Sequence, residues 1–236
     1  MQETSVLQCG QGKDLLFLHG YGASKECFLP QINYFVHGYR VTAIDFPPFG
    51  NAPSLVSAWG VDDYVEYTLD ILSRYDVKSP YVIAHSFGAR VAVKASAGEN
   101  CFEKMVLTGA AGINLNRGVA YKLKIFGYKT VRKISPAFAN RHFGSEEYKK
   151  LSPMQKESYK KIVNEDLRQT AEKIKVPTLL VYGKEDKTTP VREGEEYCKR
   201  IVGSELCVMK DCGHFAFLDD VFTFNRITEE FLEKKL

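Results

Sequence analysis

One serine stands between a predicted strand and a predicted helix, where its hydroxyl could act as a nucleophile. Residues Pro80 to Ala84 are predicted to form a buried strand, and small and apolar residues recur at helical spacing after Gly88. The pattern is G-x-S-x-G with Ala84 in place of the first glycine. It predicts a sharp turn that strains the backbone of Ser86 and exposes its hydroxyl, while small residues let strand and helix cross closely. The sequence therefore indicates Ser86 as the candidate nucleophile.

A serine hydroxyl needs a general base, and that base needs a carboxylate to orient it. Among the five histidines, His214 follows a predicted strand, comes directly after Gly213 and lies last in the chain, so we predict it to be the base. At His19 and His85 the backbone is expected to be the functional part. The remaining two are set aside by position: His37 near a helix end and His142 within a predicted insertion.

The carboxylate that orients His214 must lie on a loop at the same edge of the predicted sheet. The segment Gly183 to Pro190 follows an apolar strand, and Asp186 stands in this loop, so it is the predicted acid. Glu185 is the neighbouring alternative and is expected to face solvent. Asp211 is close to His214 in sequence but is too constrained to reach its ring.

Acyl transfer also needs two N–H donors for the oxyanion that develops in the transition state. One donor is predicted to be the backbone N–H of Phe87, at the start of the helix after Ser86. The other is expected from the glycine-rich bend His19 to Gly22, at Tyr21. The side chains of Tyr21 and Phe87 are predicted to line the substrate pocket.

Strands and helices alternate along most of the chain, which predicts an α/β fold with a mainly parallel, doubly wound sheet. The alternation stops at about Gly112 and resumes near Val176. Between these points only helical patterns are visible. We therefore expect a core of residues 1–111 and 169–236 and a helical insertion of residues 112–168, a lid over the carboxyl edge of the sheet.

Composition limits the class of protein. A hydrophobic fraction of 44% suffices for one large core, and a net charge of +3 gives no argument for nucleic acid. No signal peptide is visible, and the longest apolar runs are strand-length, too short to span a bilayer. The six cysteines are scattered without a C-x-x-C pair, which favours reduced thiols in the cytoplasm and no metal site. Cys212, near His214, is interpreted as a small residue in a tight loop.

Charge is concentrated in the insertion. It holds thirteen Lys and Arg against five Asp and Glu, about +8, so the rest of the chain carries about −5. The simpler interpretation is a solvated outer face on lid helices. The alternative is that these charges attract anionic substrates or, less favoured, contact an anionic membrane surface.

Taken together, these motifs resemble the α/β-hydrolase superfamily, and specifically its lidded branch of small carboxylesterases, C–C bond hydrolases, cofactor-free haloperoxidases and thioesterase-like enzymes. The resemblance covers nearly the whole chain and is weakest in the insertion. The motifs that carry it are His19-Gly-Tyr-Gly22, Asp45-Phe-Pro-Pro-Phe-Gly50, Ala84-His-Ser-Phe-Gly88, Gly183-Lys-Glu-Asp186 and Gly213-His214.

The resemblance implies a catalytic triad of Ser86, Asp186 and His214, in the chain order of this fold. It also implies oxyanion donors at Tyr21 and Phe87. At the sharp turn between strand and helix, dehalogenases and epoxide hydrolases of this fold use aspartate. The serine at this position, Ser86, implies acyl chemistry. The expected function is hydrolysis of a small to medium acyl ester by a monomer or homodimer without metal or organic cofactor. The alternatives are a thioesterase, an acyltransferase, a C–C bond hydrolase and, less favoured, a non-catalytic ligand receptor.

Overall fold

The computed structural model describes residues 4–98, 101–115 and 151–235. In this part of the chain seven strands form one sheet in the order β1-β3-β2-β4-β5-β6-β7. Strand β1 pairs with β3 in antiparallel fashion, and all other neighbours are parallel. The strands are β1 Val6–Cys9, β2 Lys13–Leu18, β3 Tyr39–Ile44, β4 Tyr81–His85, β5 Lys104–Thr108, β6 Thr178–Gly183 and β7 Glu205–Met209.

The central strands are apolar runs because both faces of the sheet are covered. Along β2, Leu16 and Leu18 belong to one buried cluster, whereas Leu15 and Phe17 belong to the cluster on the opposite face. Strand β6 follows the same alternation and is buried along its whole length. Two apolar cores therefore sandwich the sheet, as the predicted doubly wound α/β fold requires, and that prediction is confirmed.

The helices divide between these two faces. Helices α2 and α3 contribute Tyr64 and Val91 to one core, and α1 and the last helix contribute Ile32 and Phe224 to the other. A 3-10 turn, Lys25–Phe28, precedes α1. The described helices are α1 Leu29–Phe35, α2 Val61–Arg74, α3 Phe87–Gly98, α4 Pro153–Asn164, α5 Arg168–Ala171, α6 Val191–Cys198, α7 Ala216–Asp219 and α8 Val221–Glu233.

The last part of the chain forms two helices in succession, α7 and α8. Asp220 separates them because its backbone is not helical (φ −138°, ψ 80°) and its side chain accepts the N–H of Thr223 as a new N-cap.

Of the predicted helical insertion, the described part contains α4. This helix begins with a capping box, in which the side chains of Ser152 and Gln155 each accept the other residue's backbone N–H. Helical patterns predicted within residues 116–150 lie outside the described residues.

The sheet order fixes where a site can form. From β2 the chain crosses to β3 on one side, and later returns to β4 on the other side of β2. Ligands of open α/β sheets bind at such a reversal, beyond the carboxyl ends of the strands. The segments that follow β2 and β4 hold the glycine-rich bend and Ser86, respectively.

Candidate active site

Ser86 is the single residue between the end of β4 at His85 and the start of α3 at Phe87. Its φ is +49°, in the left-handed region that a residue with a side chain adopts only at a cost. The strain expected from the sequence is therefore present. The turn is held on both sides, because Ser86 N–H donates to Thr108 O (3.0 Å) and Ala111 N–H donates to Ser86 O (3.3 Å).

Gly88 is required by β2 rather than by β4 alone. A Cβ at this position would lie 2.3 Å from the carbonyl oxygen of Leu18 and 2.7 Å from that of His19. The first turn of α3 thus presses directly on the end of β2. This close approach brings Ser86 beside the glycine-rich bend, where a Cβ on Gly20 would lie 3.5 Å from the Ser86 Cβ.

His214 stands in the loop after β7 and connects the predicted nucleophile to the predicted acid. Its Nε2 lies 3.1 Å from Ser86 Oγ, and its Nδ1 lies 2.8 Å from Asp186 Oδ2. Nδ1–H donates to the carboxylate, which leaves the Nε2 lone pair facing the serine hydroxyl. The three residues chosen from the sequence thus lie in one hydrogen-bonded chain.

The loop that carries His214 passes close to the end of β6. A Cβ on Gly183 would lie 2.1 Å from Gly213 O, so only glycine permits this approach. Asp219 accepts the N–H of Gly213 at 2.7 Å and fixes the loop from the other side. His214 is therefore positioned by its backbone as well as by its ring.

Asp186 is buried but well supplied with donors. Its Oδ1 accepts the N–H groups of Thr188 and Thr189, and its Oδ2 accepts the hydroxyl of Thr189 as well as His214 Nδ1–H. Burial raises the pKa of the Asp186 carboxyl, but the bonds from His214 and Thr189 outweigh it and leave the pKa below its usual value. Asp186 is thus an anion near neutral pH.

The alternative acids do not share this position. Glu185 and Asp211 are exposed, and Asp211 lies at a turn with φ +56°. His37 is exposed as well, and His142 lies outside the described residues.

The two residues predicted to stabilise an oxyanion lie next to Ser86. Phe87 begins α3, so its N–H has no carbonyl one turn earlier in that helix to accept it. Tyr21 directly follows Gly20, and its ring centroid is 5.8 Å from that of Phe87. The Phe87 ring is buried against Phe46 and Tyr64, whereas the Tyr21 ring is partly exposed.

His19 and His85, which were expected to act through their backbone, form hydrogen bonds with their side chains as well. His19 accepts Phe46 N–H on Nε2 (2.9 Å) and donates Nδ1–H to Gly20 O (2.7 Å). His85 donates Nε2–H to the backbone oxygen of His214 at 3.0 Å, beneath the catalytic loop. Burial lowers the pKa of His85 to about 3, so this ring is neutral.

Sequence reasoning also missed Thr189, whose hydroxyl contacts both Asp186 and His214. The available signal was its place three residues after an aspartate and directly before Pro190, since Asp side chains commonly bind the backbone of such turns. For His85 the single sequence offers no signal, because an elbow turn requires no particular side chain there.

Within the described residues no group of three or more His, Cys, Asp or Glu is arranged to hold a metal ion. All six cysteines are free, and burial raises the pKa of the Cys212 thiol. Cys212 is thus kept in its neutral form beside the His214 loop. Among those same residues, no helix has the length and apolar character to cross a bilayer.

Comparison with known proteins finds relatives along nearly the whole chain. Among curated proteins, the AB hydrolase superfamily protein YisY of Bacillus subtilis is 24% identical over 254 residues, covering 96% of this chain and 94% of that protein. A 2-hydroxy-6-oxononadienedioate/2-hydroxy-6-oxononatrienedioate hydrolase of Escherichia coli is also 24% identical, covering 96% of this chain and 89% of that protein. The structure of an esterase from Exiguobacterium antarcticum matches with a TM-score of 0.81 at 22% identity, over 99% of this chain and 96% of the esterase, which shows a shared fold.

The family assignment rests on a match over most of the chain. The model of the alpha/beta hydrolase family matches residues 15–226, a range that includes Ser86, Asp186 and His214. The chain therefore belongs to the alpha/beta hydrolase family.

Proposed function

We propose that the protein is a serine hydrolase that cleaves a small to medium acyl ester through an acyl-enzyme intermediate. The observation that carries this proposal is the hydrogen-bonded chain from Ser86 Oγ through His214 to Asp186. A hydroxyl of ordinary acidity becomes a useful nucleophile when such a base removes its proton during attack.

In the proposed mechanism, Ser86 Oγ attacks the ester carbonyl carbon while its proton passes to His214 Nε2. The carbonyl electron pair moves to oxygen, and the anion is stabilised by the N–H groups of Phe87 and Tyr21. Asp186 stabilises the imidazolium that forms. Collapse of the intermediate breaks the ester C–O bond, and the leaving alcohol takes the proton from Nε2.

Water completes the cycle by the same route. It attacks the acyl-enzyme carbonyl as His214 accepts one of its protons, the bond to Ser86 Oγ breaks, and Nε2 returns the proton to the serine. The product is a carboxylic acid, and the enzyme regains its starting state. Every proton in this scheme moves through the Nε2 atom that faces Ser86.

A second candidate is hydrolysis of a carbon–carbon bond next to a carbonyl by the same residues. It is supported by the likeness over 96% of this chain to the Escherichia coli hydrolase of 2-hydroxy-6-oxononadienedioate. Thioester hydrolysis and acyl transfer would use the same apparatus. A panel of esters, thioesters and 2-hydroxy-6-oxo dienoates, each assayed with the Ser86→Ala variant as control, separates these reactions.

The surroundings of the site in the chain and in the cell are also part of the proposed function. We take residues 112–168 as an insertion that covers the site and residues 1–111 and 169–236 as the hydrolase core. The substrate is a small molecule, and the enzyme acts in the cytoplasm as a monomer or homodimer. The scattered cysteines, all unpaired, support a reducing compartment.

The proposal is tested by the release of p-nitrophenol from a short-chain ester. The wild-type protein should turn over, with a burst if hydrolysis of the acyl-enzyme is the slower step. Ser86→Ala should lose at least about 1,000-fold in kcat, since removing a triad member leaves mainly binding and the oxyanion donors. Activity that survives in Ser86→Ala would remove Ser86 as the nucleophile.

A further inference from the structure

Thr189 touches both the acid and the base of the proposed triad. It is buried, and its hydroxyl lies 2.8 Å from Asp186 Oδ2, 3.1 Å from His214 Nδ1 and 3.0 Å from Gly109 O. Its backbone N–H donates to the other carboxylate oxygen, Oδ1, at 2.9 Å. One residue thus holds both oxygens of Asp186.

The position of the hydroxyl proton follows from the acceptors. A hydroxyl has one proton, and a carboxylate accepts it more strongly than a neutral carbonyl does. Thr189 O–H therefore donates to Asp186 Oδ2, the same oxygen that accepts His214 Nδ1–H. Two donors at fixed positions determine the direction in which that oxygen faces the imidazole.

Thr189 also packs against the turn on which His214 rests, with its hydroxyl oxygen 3.0 Å from Gly109 O. A Cβ added to Gly109 would lie 3.1 Å from His214 O and 3.2 Å from its Nδ1, so this turn lies against the base. The next two carbonyls, of Ala110 and Ala111, accept the hydroxyls of Tyr182 (2.7 Å) and Tyr197 (2.8 Å). Three side-chain hydroxyls thus contact three consecutive carbonyls.

The segment that bears these three carbonyls, Gly109 to Ala111, also contacts the nucleophile, because Ala111 donates its N–H to the carbonyl of Ser86. Of the three hydroxyl-bearing residues, Thr189 is the one that contacts Asp186. It thereby packs the loop of the acid against a segment that contacts both the base and the nucleophile.

We propose that Thr189 is a positioning residue for the reaction, whose hydroxyl holds the Asp186 carboxylate in the orientation that directs His214 toward Ser86. It forms no bond to substrate. Without the hydroxyl, Asp186 keeps its backbone donors but can rotate about its side-chain bonds. The imidazole is then less firmly held in the orientation that Ser86 needs. The inference rests on the proposed function, because it assumes that Ser86 is activated by His214.

The test compares hydroxyl-bearing and hydroxyl-free side chains of matched size. Thr189→Val removes the hydroxyl and keeps the shape, while Thr189→Ser and Thr189→Ala both lose the methyl group but differ in the hydroxyl. Thr178→Val is the control: it removes another buried threonine hydroxyl, which donates to Val176 O at the amino end of β6. The readouts are kcat/KM on p-nitrophenyl acetate, and kinact and KI for a fluorophosphonate.

We expect Thr189→Val and Thr189→Ala to lower kcat/KM and kinact by about tenfold, the effect of losing one hydrogen bond to a charged group. KI should stay within about twofold of the wild-type value, because the binding surface is unchanged. Thr189→Ser should remain within about threefold of wild type, because serine keeps a hydroxyl that can donate to Asp186. Thr178→Val should remain within about twofold, because it leaves Thr189 in place.

Two results would overturn the inference: Thr189→Val within about twofold of wild type, or Thr189→Ser as slow as Thr189→Ala. If Thr189→Val fails to fold, the Ser and Ala pair decides by the same criteria. Loss of activity in Ser86→Ala, together with an unaffected Thr189→Val, would refute the role of Thr189 alone. Activity retained in Ser86→Ala would refute the proposed function itself.

Discussion

At the scale of single residues, the buried histidines carry a pH-dependent contribution to stability. His85 is fully enclosed, between the rings of His214, Phe215 and Phe217. Burial is the largest cause that lowers its pKa, from 6.5 to about 3, and the neighbouring His214 adds to it. Protonation therefore favours the unfolded chain, in which this side chain is exposed to water.

The sign of the effect follows from proton binding. Between pH 6.5 and about 3 the unfolded state binds a proton at His85 that the folded state does not, so stability is complete above pH 6.5 and falls as the pH is lowered through this window. Asp186 and Asp45, whose pKa values are lowered by their hydrogen bonds against the effect of burial, add to this loss only near and below pH 3.8.

We predict that His85→Gln reduces this dependence, because a glutamine amide can donate to His214 O without titrating. The slope of the unfolding free energy between pH 6 and 4 should fall by up to about 1.4 kcal/mol per pH unit. His19, which burial also holds neutral, should keep part of the slope. Urea denaturation at a series of pH values measures it, and parallel curves for the two proteins would contradict the prediction.

Some residues of the site can be predicted from the sequence and others cannot. Ser86, Asp186 and His214 each follow an apolar run that is recognisable as a strand, and parallel strands bring their carboxyl ends to one edge. Their nomination needs no side-chain detail. Thr189 follows Asp186 by three residues, which marks a turn, but the contacts of its hydroxyl are set by its rotamer and by loop packing. His85 contacts His214, which is far away in sequence, so spacing along the chain does not identify its role.

At the scale of elements, α4 is fixed to the hydrolase core at both ends and along its length. Arg90 on α3 donates to the carbonyls of Ile162 (3.0 Å) and Glu165 (2.8 Å), which serves as a C-terminal cap. Ser158 donates to Trp59 O at 2.6 Å. The helix that directly follows Ser86 therefore also anchors α4.

The position of α4 matters because it contacts the glycine-rich bend. Tyr159 on this helix packs against the Tyr21 ring with centroids 5.1 Å apart, and Tyr21 OH donates to Gln155 O at 3.4 Å. The sequence predicts helices in this region from apolar spacing. It does not predict the anchoring by Arg90, because arginine side chains are mostly exposed and the sequence does not show which carbonyls this one contacts.

We predict that Arg90→Met destabilises the protein by about 1–3 kcal/mol, because one buried and one partly buried carbonyl lose their donor. KM for longer acyl esters should rise more than KM for acetate esters, since a displaced α4 alters the Tyr21 side of the site. Thermal unfolding and a chain-length series measure both effects. Arg226→Met, at an exposed arginine on α8, is the control and should change neither.

An Arg90→Met protein with unchanged stability would show that the anchor is redundant. A uniform rise in KM at every chain length would separate the anchor from acyl specificity.

Across the full chain, charge is divided unevenly between residues 112–168 and the rest of the sequence. Residues 112–168 carry about +8 and the rest of the chain about −5, although the sum is only +3. Within the described part, Lys161 donates to Ala58 O and Lys94 pairs with Asp62 and Glu165. Of these two lysines only Lys161 belongs to residues 112–168, and its bond to a carbonyl leaves its charge unneutralised.

Steering of anionic substrates by the positive charge of residues 112–168 is the alternative to a solvated outer face, and it predicts a salt effect. Raising the salt concentration from about 0.02 to 0.5 M should lower kcat/KM several-fold more for an anionic ester than for a neutral ester with the same acyl and leaving groups. Equal salt dependence of the two esters would instead support the interpretation of the insertion as a solvated outer face.

The fold class follows from the alternation of strands and helices and is confirmed at this scale by the sheet order. Substrate identity does not follow, because it depends on packing between the core and residues 112–168. The spacing of apolar residues predicts helices there but not the faces they present to the site.

Covalent trapping identifies the nucleophile, which we propose is Ser86. The protein is treated with a fluorophosphonate, digested, and the modified peptide is sequenced by mass spectrometry. We predict a single adduct on Ser86 in the wild-type protein, slow formation of that adduct in His214→Gln, and no adduct in Ser86→Ala. An adduct on another residue, or labelling that persists in Ser86→Ala, would contradict the account.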